Sequence, residues 1–236
     1  MKIEIWSDYV CPFCYIGKRR LEQAIEKKGL QDHVDVVFKS YELDMSAPAT
    51  SEETTYESLA RKYQTTVEAA KQMTDGVREQ AKSVGLTYNF DAIRPANTRD
   101  AHRLVMWAQK NDQAKELSER LFHAYFIDAR EIGRREVLLE IVKEAGLNVE
   151  EAKAMLETKE NLAAVRVEMQ EGIELGVRGV PFFVVNEKYA ISGAQPNDVF
   201  EEMLEKVAAE EGIQRSKLQL LGDTNANVCS DDSCDI

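Results

Sequence analysis

Cys11 and Cys14, separated by Pro12 and Phe13, are the residues of this chain whose types and spacing best suit a chemical task. Thiol–disulfide exchange needs an attacking sulfur that is a thiolate near neutral pH and a second thiol close enough to resolve the mixed disulfide. A helix N-terminus favours a thiolate through its unpaired N–H groups and dipole. If a helix begins at this motif, Cys14 lies one turn beyond Cys11. Pro12 suits such a position, because the N–H it lacks is not needed in the first turn. The same pair also fits half of a zinc site, or two core thiols. A setting between a strand and a helix favours the redox reading.

The flanking sequence supplies that setting. Residues 2–6 alternate Ile3 and Ile5 with polar neighbours and close on Trp6, the pattern of a short strand. Residues 16–28 carry Ile16, Leu21, Ala24 and Ile25 near helical spacing, with Gly29 as a stop. Residues 34–39 are β-branched and apolar, a second strand. The first forty residues therefore read as a βαβ unit with the cysteines at its turn.

From about 51 to 176 the pattern is helical throughout. Thr65 and Glu68 have the spacing of a capping box, Asn148 and Glu151 resemble one, and Thr98 suits a cap. Leu117, Leu121, Phe122, Tyr125 and Phe126 form one broad apolar face, and Gly146 and Gly176 mark helix ends. Residues 180–185 return to an apolar strand opening on Pro181. Residues 186–188 make a turn, 189–192 pair back, and 197–211 form a helix. A split α/β frame at the two ends, with a helical insert between them, accounts for both patterns.

Bulk composition narrows the partners. The 236 residues are 44% hydrophobic and 31% charged, and 12 Gly with 5 Pro leave no room for a long linker. A net charge of −12 opposes binding to nucleic acid, which needs clustered Lys and Arg. No run approaches the roughly 20 apolar residues that span a bilayer. The N-terminus shows no secretory pattern, so the expected location is the cytoplasm. There a close cysteine pair reads as catalytic, sensing or metal-binding rather than as a structural disulfide.

Asp8-Tyr9-Val10-Cys11-Pro12-Phe13-Cys14, with Gly179-Val180-Pro181-Phe182-Phe183 far downstream, resembles the DsbA family of thioredoxin-fold proteins, and specifically its FrnE-like branch. Asn97-Thr98-Arg99-Asp100-Ala101-His102-Arg103 and Ile191-Ser192-Gly193-Ala194-Gln195 resemble that branch too. The likeness covers nearly the whole chain and implies a thioredoxin-like fold with an inserted all-helical domain. It implies a discontinuous domain of residues 1–45 and 177–215, an insertion at 46–176 and a tail at 216–236. It also implies that Pro181 is cis beside the cysteines, that Val180 offers its backbone to a substrate, and that Pro12 and Phe13 help bind it. No cofactor or metal is implied, with glutathione a candidate redox partner.

The resemblance has departures. Periplasmic DsbA proteins carry His between the cysteines, and here Phe13 supplies no charge, so a strongly oxidising potential is not implied. Related glutathione-dependent isomerases and kappa-class glutathione transferases carry Ser at the position of Cys11. Keeping both thiols favours dithiol exchange as a protein disulfide reductase or isomerase. A glutathione-dependent isomerase or transferase, and a zinc-binding or interaction protein, remain the alternatives.

Six further residues are lesser candidates, four of them candidate accessories (Asp8, His102, Cys229 and Cys234). Asp8 can relay protons or simply form a turn, and His102 is either a satisfied packing residue or a site residue. Trp6 and Tyr15 flank the motif and either line a substrate groove or, as is commoner for aromatics, simply pack. Cys229 and Cys234 in the tail read first as an auxiliary redox pair, then as part of a four-thiolate zinc site, then as inert.

Overall fold

The computed structural model describes residues 1–213 and, beyond them, the backbone of two short strands at 229–230 and 233–234. In chain order the elements are β1 (Lys2–Ser7), α1 (Pro12–Lys28), β2 (Asp35–Ser40), α2 (Thr55–Tyr63), α3 (Val67–Lys82), α4 (Arg99–Gln109) and α5 (Ala114–Phe126). There follow α6 (Arg135–Glu144), α7 (Val149–Glu157), α8 (Leu162–Glu174), β3 (Phe182–Val185), β4 (Tyr189–Ser192) and α9 (Asn197–Glu210), then β5 (Cys229–Ser230) and β6 (Ser233–Cys234).

The main sheet has the order β2-β1-β3-β4. β1 runs parallel to β2 from Lys2 opposite Asp35 to Ser7 opposite Ser40, so the chain must cross over between them, and α1 is that crossover. β3 lies antiparallel on the other side of β1, with Trp6 opposite Phe182, and β4 completes the sheet. The hairpin between β3 and β4 turns on Asn186 and Glu187, both left-handed at φ 49° and 55°. Alternation along β1 sends Ile3 and Ile5 into the main core and Trp6 to the opposite face with Val177 and Val184. α1 and α9 pack together, tied by ion pairs from Lys27 and Lys28 to Glu201 and from Lys28 to Glu205. α8 covers the Trp6 face, where the Trp6 indole donates to Glu168 O at 2.8 Å and the Glu168 carboxylate accepts from Ser40 N at 2.8 Å.

This is the α/β frame with a helical insertion expected from the sequence, with local corrections. α1 begins at Pro12 rather than Ile16, which puts Cys14 inside the helix. The middle of the chain is not helical throughout, because residues 83–98 and 127–134 carry no α-helix. In the first of these stretches Leu86, Tyr88, Phe90 and Ile93 are all buried, so an irregular segment fills the core where helix was expected. The cap of α3 is Thr66, accepting from Ala69 N, not Thr65. α2 has a full capping box of Thr54 and Glu57 that the spacing argument passed over. Asn148 caps α7 as expected. Thr98 precedes α4 but makes no side-chain cap, and Asn97 Oδ1 accepts from Arg99 N instead.

The helices are locked together by a buried cation. Arg103 on α4, 4% exposed, donates to the carbonyls of Met155, Thr158 and Glu160 at 2.8–2.9 Å and pairs with Asp100. Those carbonyls lie at and just past the end of α7, where helix geometry leaves acceptors without intrahelical donors.

Two glycines inside helices separate packing from propensity. A Cβ at Gly172 on α8 would stand 2.6 Å from Trp6 Nε1, whereas one at Gly76 on α3 meets nothing within 4 Å. Gly172→Ala is therefore expected to destabilise by about 1–3 kcal/mol through overpacking. Gly76→Ala is expected to stabilise by about 0.5–1 kcal/mol through helix propensity. Urea midpoints measure both, and a stabilising Gly172→Ala would contradict the close approach of α8 to Trp6.

Candidate active site

Cys11 is the N-cap of α1, in extended conformation at φ −91° and ψ 113°, and Pro12 opens the helix behind it. The turn that delivers it is closed by Cys11 N donating to Asp8 O at 3.0 Å, and Cys14 N donates to Cys11 O at 3.1 Å. The four residues 11–14 thus begin the helix as the spacing required. Both thiols are free and buried, Cys11 4% and Cys14 2% exposed.

Across from Cys11 lies the peptide between Val180 and Pro181, which is cis. The Cys11 Sγ stands 3.5 Å from Val180 O. Residues 169 positions apart in sequence therefore meet at one sulfur. Gly17 makes that meeting possible, because a Cβ there would stand 3.1 Å from both Pro181 Cγ and Phe183 Cζ. The loop after β4 is held to the same helix by Arg20, whose Nη1 donates to Ala194 O, and Gly193 N donates to Pro181 O at 2.8 Å. Phe13 is 37% exposed, while Pro12 and Val180 are half-buried, so the motif presents apolar side chains to solvent.

Behind the turn, Asp8 and His102 meet as a buried pair. Asp8 Oδ1 lies 3.3 Å from His102 Nε2, and Asp8 Oδ2 accepts from Leu43 N at 2.7 Å. The side chains are 1% and 3% exposed, so the carboxylate is satisfied inside the protein rather than presented to solvent. The Tyr9 ring leans on His102 at 4.9 Å between centroids, and its hydroxyl meets Ser118 Oγ at 3.1 Å.

Two residues near the thiols had no motif to announce them. Tyr88, from the segment expected to be helical, donates its hydroxyl to Pro12 O at 2.8 Å. Its alternation with Leu86 and Phe90 was the available signal. Ser7, the last residue of β1, is 3% exposed and favours the thiolate of Cys14 through its hydroxyl. Trp6 and Tyr15 are fully buried packing residues: Trp6 faces α8, and Tyr15 stacks on Phe122 at 5.0 Å. Cys229 and Cys234 stand opposite one another in the register of β5 and β6, and their side chains lie outside the described residues. Among the described residues, no three or more His, Cys, Asp or Glu side chains are grouped to hold a metal ion.

Burial pushes the Cys14 thiol well above the ordinary thiol range, and its neighbour Cys11 adds to this. The Ser7 hydroxyl and the Asp8 backbone N–H pull the other way. The geometry therefore offers a sulfur at the N-cap of α1 facing the cis peptide, and one turn on a second thiol that burial keeps protonated.

That difference fixes the sign of a pH effect. The folded protein keeps the Cys14 proton after the unfolded chain has lost its own, so stability is whole below the thiol range and falls as pH rises through it. The urea midpoint of the reduced protein is expected to drop between about pH 8.5 and 10. Cys14→Ala should flatten that drop, and an identical slope in the variant would remove Cys14 as its source.

The family and fold have counterparts among known proteins. The family described as DSBA-like thioredoxin domain matches residues 2–205. A structure of a probable DsbA oxidoreductase from Streptomyces coelicolor is 34% identical and superposes with a TM-score of 0.81, covering 100% of this chain and 99% of that one. The Bacillus subtilis protein YwbO, described as uncharacterized, is 28% identical over 204 residues, 86% of this chain and 94% of its own length. A cytosolic disulfide reductase, DsbM from Pseudomonas aeruginosa, solved with glutathione, shares the fold at 18% identity and a TM-score of 0.61, covering 89% of this chain and all of its own.

Proposed function

The chain belongs to the DsbA-like thioredoxin domain family, and from that premise we propose that it is a dithiol oxidoreductase of the protein disulfide reductase or isomerase type. One observation carries the reading: Cys11 caps α1 with its sulfur against the cis peptide of Val180 and Pro181, and Cys14 lies buried one turn below.

Cys11 attacks a substrate disulfide, forming a sulfur–sulfur bond and releasing the first substrate thiolate, which takes a proton. Cys14 then attacks Cys11, expels the second substrate thiolate and leaves an intramolecular disulfide. The substrate gains two electrons and the protein loses them. A thiol partner reverses the change in the protein and completes the cycle. Pro12, Phe13, Val180 and Pro181 surround the attacking sulfur and receive the substrate. Asp8 and His102 hold the turn from behind, and Cys229 and Cys234 serve as a second dithiol.

Glutathione is the first small-thiol partner to try, because the structurally similar DsbM was solved with it. Phe13 between the cysteines supports a reducing or isomerising role over a strongly oxidising one. The FrnE-like branch is supported by residues 97–103 and 191–195. Residues 1–45 and 177–215 form the discontinuous thioredoxin-like domain in this reading, 46–176 the insertion and 216–236 the tail. Among the described residues no helix is long and apolar enough to cross a membrane, and the reading places the protein in the cytoplasm.

Insulin reduction and refolding of scrambled ribonuclease test the proposal. Cys11→Ser should abolish both, a loss of at least about a hundredfold for removal of the nucleophile. Cys14→Ala should trap a mixed disulfide at Cys11. Unchanged activity in Cys11→Ser would overturn the reading. Tight glutathione binding with turnover that survives Cys14→Ala would replace it with a glutathione-dependent enzyme.

A further inference from the structure

Ser7 is the last residue of β1, just ahead of the turn that leads into the Cys11 cap of α1. It is 3% exposed, and its hydroxyl oxygen is one of two buried side-chain polar atoms among the described residues that make no hydrogen bond of good geometry. The other, Glu42 Oε2, has Arg99 Nη2 at 3.1 Å as an ionic partner. Ser7 has no such substitute. Its backbone is fully engaged, with Ser7 O accepting from Tyr41 N at 3.1 Å and the residue opposite Ser40 in the ladder, so only the hydroxyl is left over.

A buried hydroxyl without a settled partner is uncommon, and alanine would fill the position at no polar cost. The group that Ser7 addresses is the Cys14 sulfur, which it favours as thiolate. The other titratable groups acting on that sulfur, or sensing it, are Cys11 on α1, Tyr9 on the turn and Tyr88 on the 83–98 segment. Burial holds both phenols protonated through neutral pH. The Asp8 carboxylate is turned away to Leu43 N and His102. Among the described residues, the groups that most favour a negative charge on Cys14 are Ser7 and the Asp8 N–H.

We propose that Ser7 is a catalytic hydrogen-bond donor to the resolving sulfur, stabilising Cys14 as a thiolate while it attacks the mixed disulfide on Cys11. This rests on the dithiol reading above and adds to it the group that makes the second step possible. In that step the Cys14 proton leaves and the Cys14–Cys11 sulfur–sulfur bond forms. The bond from Cys11 to the substrate sulfur breaks, and the departing thiolate takes up a proton. Ser7 donates a hydrogen bond throughout and transfers no proton of its own. Its hydroxyl lacks a settled partner in the reduced resting state because its true partner exists only during turnover.

The test mixes the reduced full-length protein with glutathione disulfide, quenches in acid at set times, and follows the glutathione adduct on the Cys11 peptide by mass spectrometry. Cys14→Ala, as the trap, should hold the adduct indefinitely. If no adduct forms on Cys11 in that variant, the dithiol reading fails and this inference falls with it. In the unaltered protein the adduct should be transient. In Ser7→Ala it should accumulate, with resolution slowed about tenfold at neutral pH and the pH profile of resolution displaced upward by about one unit. Ser7→Thr, which keeps the hydroxyl, should resolve the adduct at close to the original rate. Resolution in Ser7→Ala with the original rate and pH profile would overturn the proposal, and so would equal slowing in Ser7→Thr and Ser7→Ala. Urea midpoints separate a structural effect, because removing an unpartnered hydroxyl should cost Ser7→Ala no stability.

Discussion

The arrangement depends on how closely the first two turns of α1 can lie against the entry to β3. Gly17 sets that distance, since any side chain there would press on Pro181 and Phe183. Glycine inside a helix costs about 1 kcal/mol relative to alanine, and here the cost is offset by contact across the two halves of the chain. The cap of one helix and two residues within it then address one loop system. Cys11 faces Val180, Gly17 admits Pro181, and Arg20 holds the carbonyl of Ala194. Moving α1 outward would separate the sulfur from the cis peptide and release the loop together.

The support behind the site is of a different kind. Aromatic rings from three elements pile up under the motif: Tyr15 of α1 on Phe122 of α5, and Tyr88 of the 83–98 segment on Phe126. Such contacts are insensitive to salt and pH, unlike the many ion pairs on the protein surface, whose individual contributions are small. The one ionisable pair immediately behind the turn, Asp8 with His102, is enclosed and joins α4 to the motif. The motif is therefore backed by apolar packing with a few enclosed polar ties, from Tyr88 to Pro12 O, from Tyr9 to Ser118 and from Asp8 to Leu43 N and His102.

Much of this was readable from residue order, and the misses have identifiable causes. Alternation in residues 2–6 and 34–39 and the punctuation at Gly29, Gly146 and Gly176 located elements because each rests on local backbone preference. The resemblance carried by residues 8–14 and 179–183 supplied what local patterns cannot, the pairing of Pro181 with Cys11 across the chain. Residues 83–98 read as helix in the sequence because a buried irregular segment and a buried helix both show frequent apolar residues, and only the tertiary setting separates them. Ser7 was passed over because a serine at a strand end is ordinary, and its significance lies in a partner seven residues on that the fold folds back beneath it. The caps shifted by one residue at Thr66, since adjacent threonines offer the same chemistry and the first-turn geometry chooses between them.

Arg103 and His102 are neighbours on α4, about 100° apart around its axis. One reaches the carbonyls at the end of α7, and the other reaches Asp8 behind the cysteines. The rotational phase of α4 is thus pinned from two sides at once. A single residue inserted or deleted in its first turn would swing both side chains out of reach together. The loops on either side of α4 can change length at far less cost than the helical stretch from Arg99 to Arg103.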